Sequence, residues 1–179
     1  MIIAKEKYKA NIIEYILYMW QIEDLLRAKH LDRELIKKDI VDKFERPLDE
    51  KTEILEWYCG IAVKMEKDGI TENGHLAFLN DTVAELNDLH LNLLNDLNDE
   101  RYRELYGWAK DSIRIFKQKA GNPGMLEIEA CLQGLYGLLM MRLQGKTVSV
   151  ETMESMSAFS NLLAYLNIRY FELCRNTNL

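Results

Sequence analysis

The sequence predicts an all-α protein, an antiparallel helical bundle of about six to seven helices around one core. Three observations carry that expectation. Apolar residues recur at alternating spacings of three and four along most of the chain, the signature of an amphipathic helix. Only 2 prolines and 9 glycines interrupt 179 residues, which leaves room for long helices. No segment alternates apolar and polar residues with the period of two that marks a half-buried strand. With 48 % hydrophobic and 29 % charged residues the chain reads as one globular domain spanning residues 1–179.

Each segment has its own start and stop. The first is expected from about Ile3 to Lys29, and its apolar residues from Ile12 to Trp20 cover almost every side. That places it at the centre of the fold. Asp32 caps a second, short helix, with Leu31 and Ile36 spaced as a hydrophobic staple, and Pro47 follows its end near Phe44. The third, Leu48 to Lys67, carries Ile54, Tyr58, Ile61 and Met65 on one stripe and stops at Gly69. Thr71 opens the fourth, whose stripe runs through Leu76, Leu79, Val83, Leu86, His90, Leu93 and Leu97.

Asn98 and Asp99 begin the fifth, with Tyr102, Leu105, Tyr106, Ala109, Ile113 and Phe116 on its buried side. The run Gly121-Asn122-Pro123-Gly124 is a loop. A sixth helix is expected from about Met125 to Gln144, ending at Gly145. Ser149 caps the last, whose stripe is Met156, Phe159, Leu163, Leu166, Tyr170 and Leu173.

Composition excludes several classes of function. A formal charge of −6 argues against a nucleic-acid partner, because phosphate binding needs a basic footprint. The nearest basic cluster, Lys5, Lys7 and Lys9, is answered by Glu6 and Glu14 and reads as a solvated helix face. Glu14 interrupts the early apolar run, so neither a signal peptide nor a membrane span is expected. Cys59, Cys131 and Cys174 are far apart in apolar helical stretches, which suggests reduced thiols and a cytoplasmic home. Motifs for nucleophilic catalysis, phosphate cradling and zinc hydrolysis are absent, and no cofactor is expected.

The candidate site residues are few. Glu14, Tyr18 and Gln21 fall within an arc of about 60° on the first helix, with Asp24 just beyond it. Such a polar stripe either lines a ligand pocket or forms a surface or structural network. Glu23 and Arg27 have the spacing of a surface ion pair. Arg142 lies within an apolar arc, where it either reaches water past the last turn or supplies the partner of Glu14 or Asp24. His90, on a core stripe, is either a hydrogen-bonded core residue or a ligand-binding one. Glu72 and His75 give one Glu-x-x-His spacing without a second copy, so no metal site is expected. Ala130, Gly134 and Gly137, with Met141 alongside, form a small-residue face on the sixth helix. They invite close approach of another helix, inside the bundle or across a dimer interface.

The segment Asn11-Ile12-Ile13-Glu14-Tyr15-Ile16-Leu17-Tyr18-Met19-Trp20-Gln21-Ile22-Glu23-Asp24 resembles the opening of an uncharacterised bacterial domain-of-unknown-function family of small all-helical proteins. The resemblance implies a stand-alone bacterial cytoplasmic protein. The family has no assigned activity, so it implies no site residue. The expectation is a non-enzymatic protein acting through protein–protein contact, a homodimer being one such form. The alternative is a small-molecule-binding bundle or enzyme with a polar pocket on the first helix.

Overall fold

The computed structural model describes residues 2–176, with side chains described for residues 4–173. Among the described residues there are α-helices, one short 3-10 turn and no strand. The helices are α1 (Ile2–Ala10), α2 (Ile12–Arg27), α3 (Arg33–Asp39), α4 (Leu48–Lys67), α5 (Ala77–Asn95), α6 (Glu100–Lys119), α7 (Glu127–Leu143) and α8 (Val150–Asn176). The fold is all-α, with helix packing of the bundle kind. Among the described residues, no helix is long and apolar enough to cross a membrane. Contacts divide the chain into two compact units, residues 1–80 and 81–179, and the division falls within α5.

In the first unit, the expected opening helix is two helices. Asn11 adopts extended backbone (φ −155°) and its side chain accepts a hydrogen bond from the Glu14 amide at 3.1 Å. An asparagine at this position competes with the helix and starts a new one, the N-cap effect. Helix α2 buries Ile12, Ile16, Met19, Trp20 and Leu26, more than any other helix of its unit. Asp32 caps α3 as expected, accepting from the Leu35 amide at 2.8 Å. A 3-10 turn at Val41–Lys43 follows. Helix α4 has the bounds expected from sequence and ends at Gly69, whose φ of +70° is the left-handed stop.

The start of α5 corrects the sequence-based expectation. Thr71 does not open it; residues 70–76 are loop, and the helix begins at Ala77. Two acidic side chains from elsewhere in the unit cap its first amides: Glu23 accepts from Leu76 at 2.9 Å and Asp68 from Ala77 at 3.2 Å. Negative groups there satisfy orphan donors and suit the helix dipole.

In the second unit, paired contacts fix the directions. Ser112 meets Ser155 and Asp99 meets Tyr165, so α6 and α8 run antiparallel. Gly134 lies against Met156 and Phe159 while Arg142 meets Met153, so α7 and α8 also run antiparallel. Asp99 caps α6 through the Tyr102 amide and also accepts from the Tyr165 hydroxyl at 3.2 Å. The Arg169 guanidinium pairs with the same carboxylate, which ties the start of α6 to α8.

Gly134 sets the spacing of α7 and α8. A Cβ there would lie 2.9 Å from the Phe159 ring, which is fully buried and cannot easily yield. Gly134→Ala is therefore expected to destabilise the protein by about 1–2 kcal/mol, overpacking outweighing the gain in helix propensity. Gly107→Ala, on α6 with open space around it, should be neutral or stabilise by up to about 1 kcal/mol. Urea-unfolding midpoints of the two variants test this contrast.

Candidate functional site

The side chains of the opening segment's polar stripe are engaged one by one with their neighbours. Glu14 is exposed and belongs to the α2 cap: it accepts from Lys7 at 2.8 Å and from the Asn11 side-chain amide at 3.3 Å. Gln21 donates to the backbone carbonyl of Leu17 at 3.2 Å. Tyr18 shares a hydrogen bond with Tyr58, and burial raises the pKa of both hydroxyls. Asp24 pairs with Arg27 at 2.8 Å. In the second unit, Arg142 is exposed and approaches the Met153 sulfur at 3.7 Å.

The buried polar centre of the first unit is one helical step away, at Glu23. Its side chain is fully buried and its two oxygens are both used. Oε2 lies 2.6 Å from His75 Nδ1, and Oε1 accepts from the Leu76 amide at 2.9 Å. A carboxylate only accepts, so His75 carries its hydrogen on Nδ1. The imidazole stacks on Trp20, with centroids 4.2 Å apart and planes at 14°. Arg27 donates to the Ile70 carbonyl at 3.3 Å and also to the Gly74 carbonyl, binding the loop from the other side.

The expected surface pair of Glu23 and Arg27 is thus replaced by a clamp on residues 70–76. A signal for it was available. Glu23 is three residues from Trp20 and Leu26 and seven from Ile16, squarely on the apolar arc. His75 sits in this loop, not on a helix, so the Glu72–His75 spacing has no metal geometry. Among the described residues, no cluster of three or more His, Cys, Asp or Glu side chains could hold a metal ion.

His90 is the centre of a second buried network. It is 1 % exposed, with Nδ1 2.8 Å from the Tyr102 hydroxyl and Nε2 3.2 Å from Glu127. Nε2 donates to the carboxylate, and Tyr102 donates to Nδ1. Tyr106 donates to the other Glu127 oxygen at 3.3 Å. Burial raises the Tyr102 hydroxyl and lifts that of Tyr106 to about 12, the Glu127 carboxylate contributing to both. Cys131, also buried, is raised by burial and by the charge of Glu127. Both imidazole nitrogens are occupied within the protein, so His90 has the bonding of a core residue. The partners Tyr106 and Glu127 could not be paired with it from sequence, since they lie on other helices.

The small-residue face divides between core and surface. Ala130 and Gly134 are buried against their own unit, whereas Gly137 is exposed and Met141 half-buried. Gly137 and Met141 line a groove of about 550 Å³ formed by α6, α7 and α8. Trp108 and Ile115 stand at its α6 edge, 58 % and 41 % exposed. Phe116 and Phe159 line it too, their rings edge to face at 6.3 Å. Cys174, expected to fill an apolar helical position, lies outside the residues whose side chains are described.

A family model described as Domain of unknown function (DUF4924) matches residues 1–176. The chain belongs to that family. No curated protein and no solved structure matches it. The family match spans both compact units and both buried networks, and it brings no activity with it.

Two predictions test these networks. Glu23→Ala is expected to destabilise the protein by about 2–3 kcal/mol, because it strands the Leu76 amide and the His75 ring. A denaturant midpoint close to wild type would count against the clamp. Glu127 gives a pH test. Its carboxyl is held below its ordinary value of 4.5 by the hydrogen bond from His90, then by that from Tyr106 and by the charge of Lys117, against the opposing effect of burial. A folded pKa below the unfolded one contributes stability above the ordinary glutamate range and loses it as pH falls through the folded value. Unfolding measured from neutral to acid pH should show a shallower acid decline for Glu127→Gln than for wild type.

Proposed function

We propose that this chain is a non-enzymatic, cytoplasmic helical protein that acts by protein–protein contact, and that its partner is a second copy of itself. The groove of α6, α7 and α8 is the docking surface. One observation supports this above the others: the groove carries a knob and a notch side by side. Trp108 projects from its edge, and Gly137 leaves its wall open, with nothing within 4 Å of where a Cβ would stand. A patch holding both is self-complementary. A two-fold axis lets the Trp108 of each copy enter the notch of the other, and the assembly closes at two.

The charges support the same arrangement. Lys119 lies on the α6 wall, and Glu151 and Glu154 lie on the α8 wall. A copy turned by a two-fold axis sets its lysine against those carboxylates. A tryptophan anchored in a desolvated notch is the kind of residue that dominates such interfaces. The net charge of −6 speaks against nucleic acid as the partner.

Light scattering and sedimentation across a wide concentration range test the proposal. Wild type is expected to be dimeric. Trp108→Ala should weaken the dimer by about thirtyfold or more, and Gly137→Gln should weaken it by blocking the notch. Both positions are exposed, so unchanged melting curves of the monomers would separate docking from folding. A wild-type chain that stays monomeric overturns the reading. So does a groove that instead takes a basic amphipathic helix from another protein.

A further inference from the structure

The first unit contains a pocket of different character. It measures about 360 Å³ and is bounded by α1, α2, α4 and the first turn of α5. Its floor is apolar: Ala4, Met19 and Ile61 are all buried. Its walls are aromatic rings. Tyr8 and Tyr15 meet edge to face with centroids 5.1 Å apart, and Trp57 and Phe78 complete the lining. Tyr8 is 52 % exposed and Phe78 38 %, so ring surface remains uncovered beside the cavity.

The charged lining has one sign. Lys5, Lys9 and Lys64 border the pocket, and no carboxylate does. This is a local reversal in a chain of net charge −6. Among the described residues, no ion pair engages these three lysines, while their neighbour Lys7 is held by Glu14. The basic cluster of the opening segment is therefore not a uniform solvated face. Lys7 pairs with Glu14, whereas Lys5 and Lys9 turn to the cavity. Lys64 lies 5.8 Å from the centroid of the Phe78 ring, poised between ring and rim.

We propose that this pocket binds a small aromatic anion, in its simplest form an aromatic carboxylate. The rings supply edge and face contacts for a planar body, and the floor removes it from water. The three ammonium groups receive the acid. The volume suits a ring carrying a short acidic arm and lies at the low end for small-molecule sites. Walls made of rings favour a planar ligand over an acyl chain. The site is separate in sequence from the α6–α8 groove, so it stands or fails independently of the self-association proposed above.

Calorimetric titration of the full chain with cinnamate, and with its neutral amide, tests this directly. Binding of cinnamate is expected, with the amide much weaker and the cinnamate affinity falling as salt is added. Lys5→Gln, Lys9→Gln and Lys64→Gln should each weaken binding by up to about fivefold. Tyr8→Ala should weaken acid and amide alike. All four side chains are exposed, and thermal melts check that the variants fold. The proposal is overturned if aromatic carboxylates do not bind, if the amide binds as well as the acid, or if the lysine variants bind like wild type. Co-sedimentation with anionic phospholipid vesicles without cinnamate binding would also overturn it, making the lysines and rings a membrane-facing patch.

Discussion

A fully buried carboxylate must have its lone pairs filled by donors, and at Glu23 the donors are the His75 ring and the Leu76 amide. That requirement draws residues 70–76 onto α2 and fixes where α5 begins. The remaining contacts of the loop follow from it. Trp20 covers the imidazole, Arg27 collects the Ile70 and Gly74 carbonyls, and Asp24 holds Arg27 in place. Gly74 adopts a φ of +91°, which lets the loop turn beneath the arginine. One buried carboxylate thus organises the connection between α4 and α5.

Much of the architecture was legible in sequence because local signals and packing agree there. Helix α4 has its expected bounds, Asp32, Asp99 and Ser149 all cap as their spacing suggests, and Gly69 turns left-handed. The second helix was expected to run to about Phe44, but α3 stops at Asp39 and a 3-10 turn covers Val41–Lys43. Two further boundaries were not legible, for related reasons. Asn11 was hidden inside a run that is helical on both sides, where a cap cannot be told from an ordinary polar residue by periodicity. Thr71 resembled a cap, but α5 is capped instead by Glu23 and Asp68, and contacts from distant sequence outweigh a local preference.

The site residues were harder to read, because sequence places side chains on faces without saying what faces them. Glu14, Tyr18 and Gln21 do share a side of α2, yet a preceding helix uses Glu14 and the backbone uses Gln21. His90 stood correctly on a core stripe, but its partners come from α6 and α7. The small-residue face was visible as a whole. Its division into buried Gly134 and open Gly137 depends on where Phe159 sits, and only the structure gives that. Three residues along one helix separate a contact from a vacancy.

Cys131, on α7 one turn after Glu127, is fully buried, and burial and the Glu127 charge raise its pKa. A thiol so placed holds almost no thiolate at neutral pH, so alkylating reagents and peroxides reach it only when the surrounding helices part. Its rate of modification is therefore a clock for the opening of the second unit. The protein contains its own reporter of local unfolding on the helix that supplies Glu127 to the buried network.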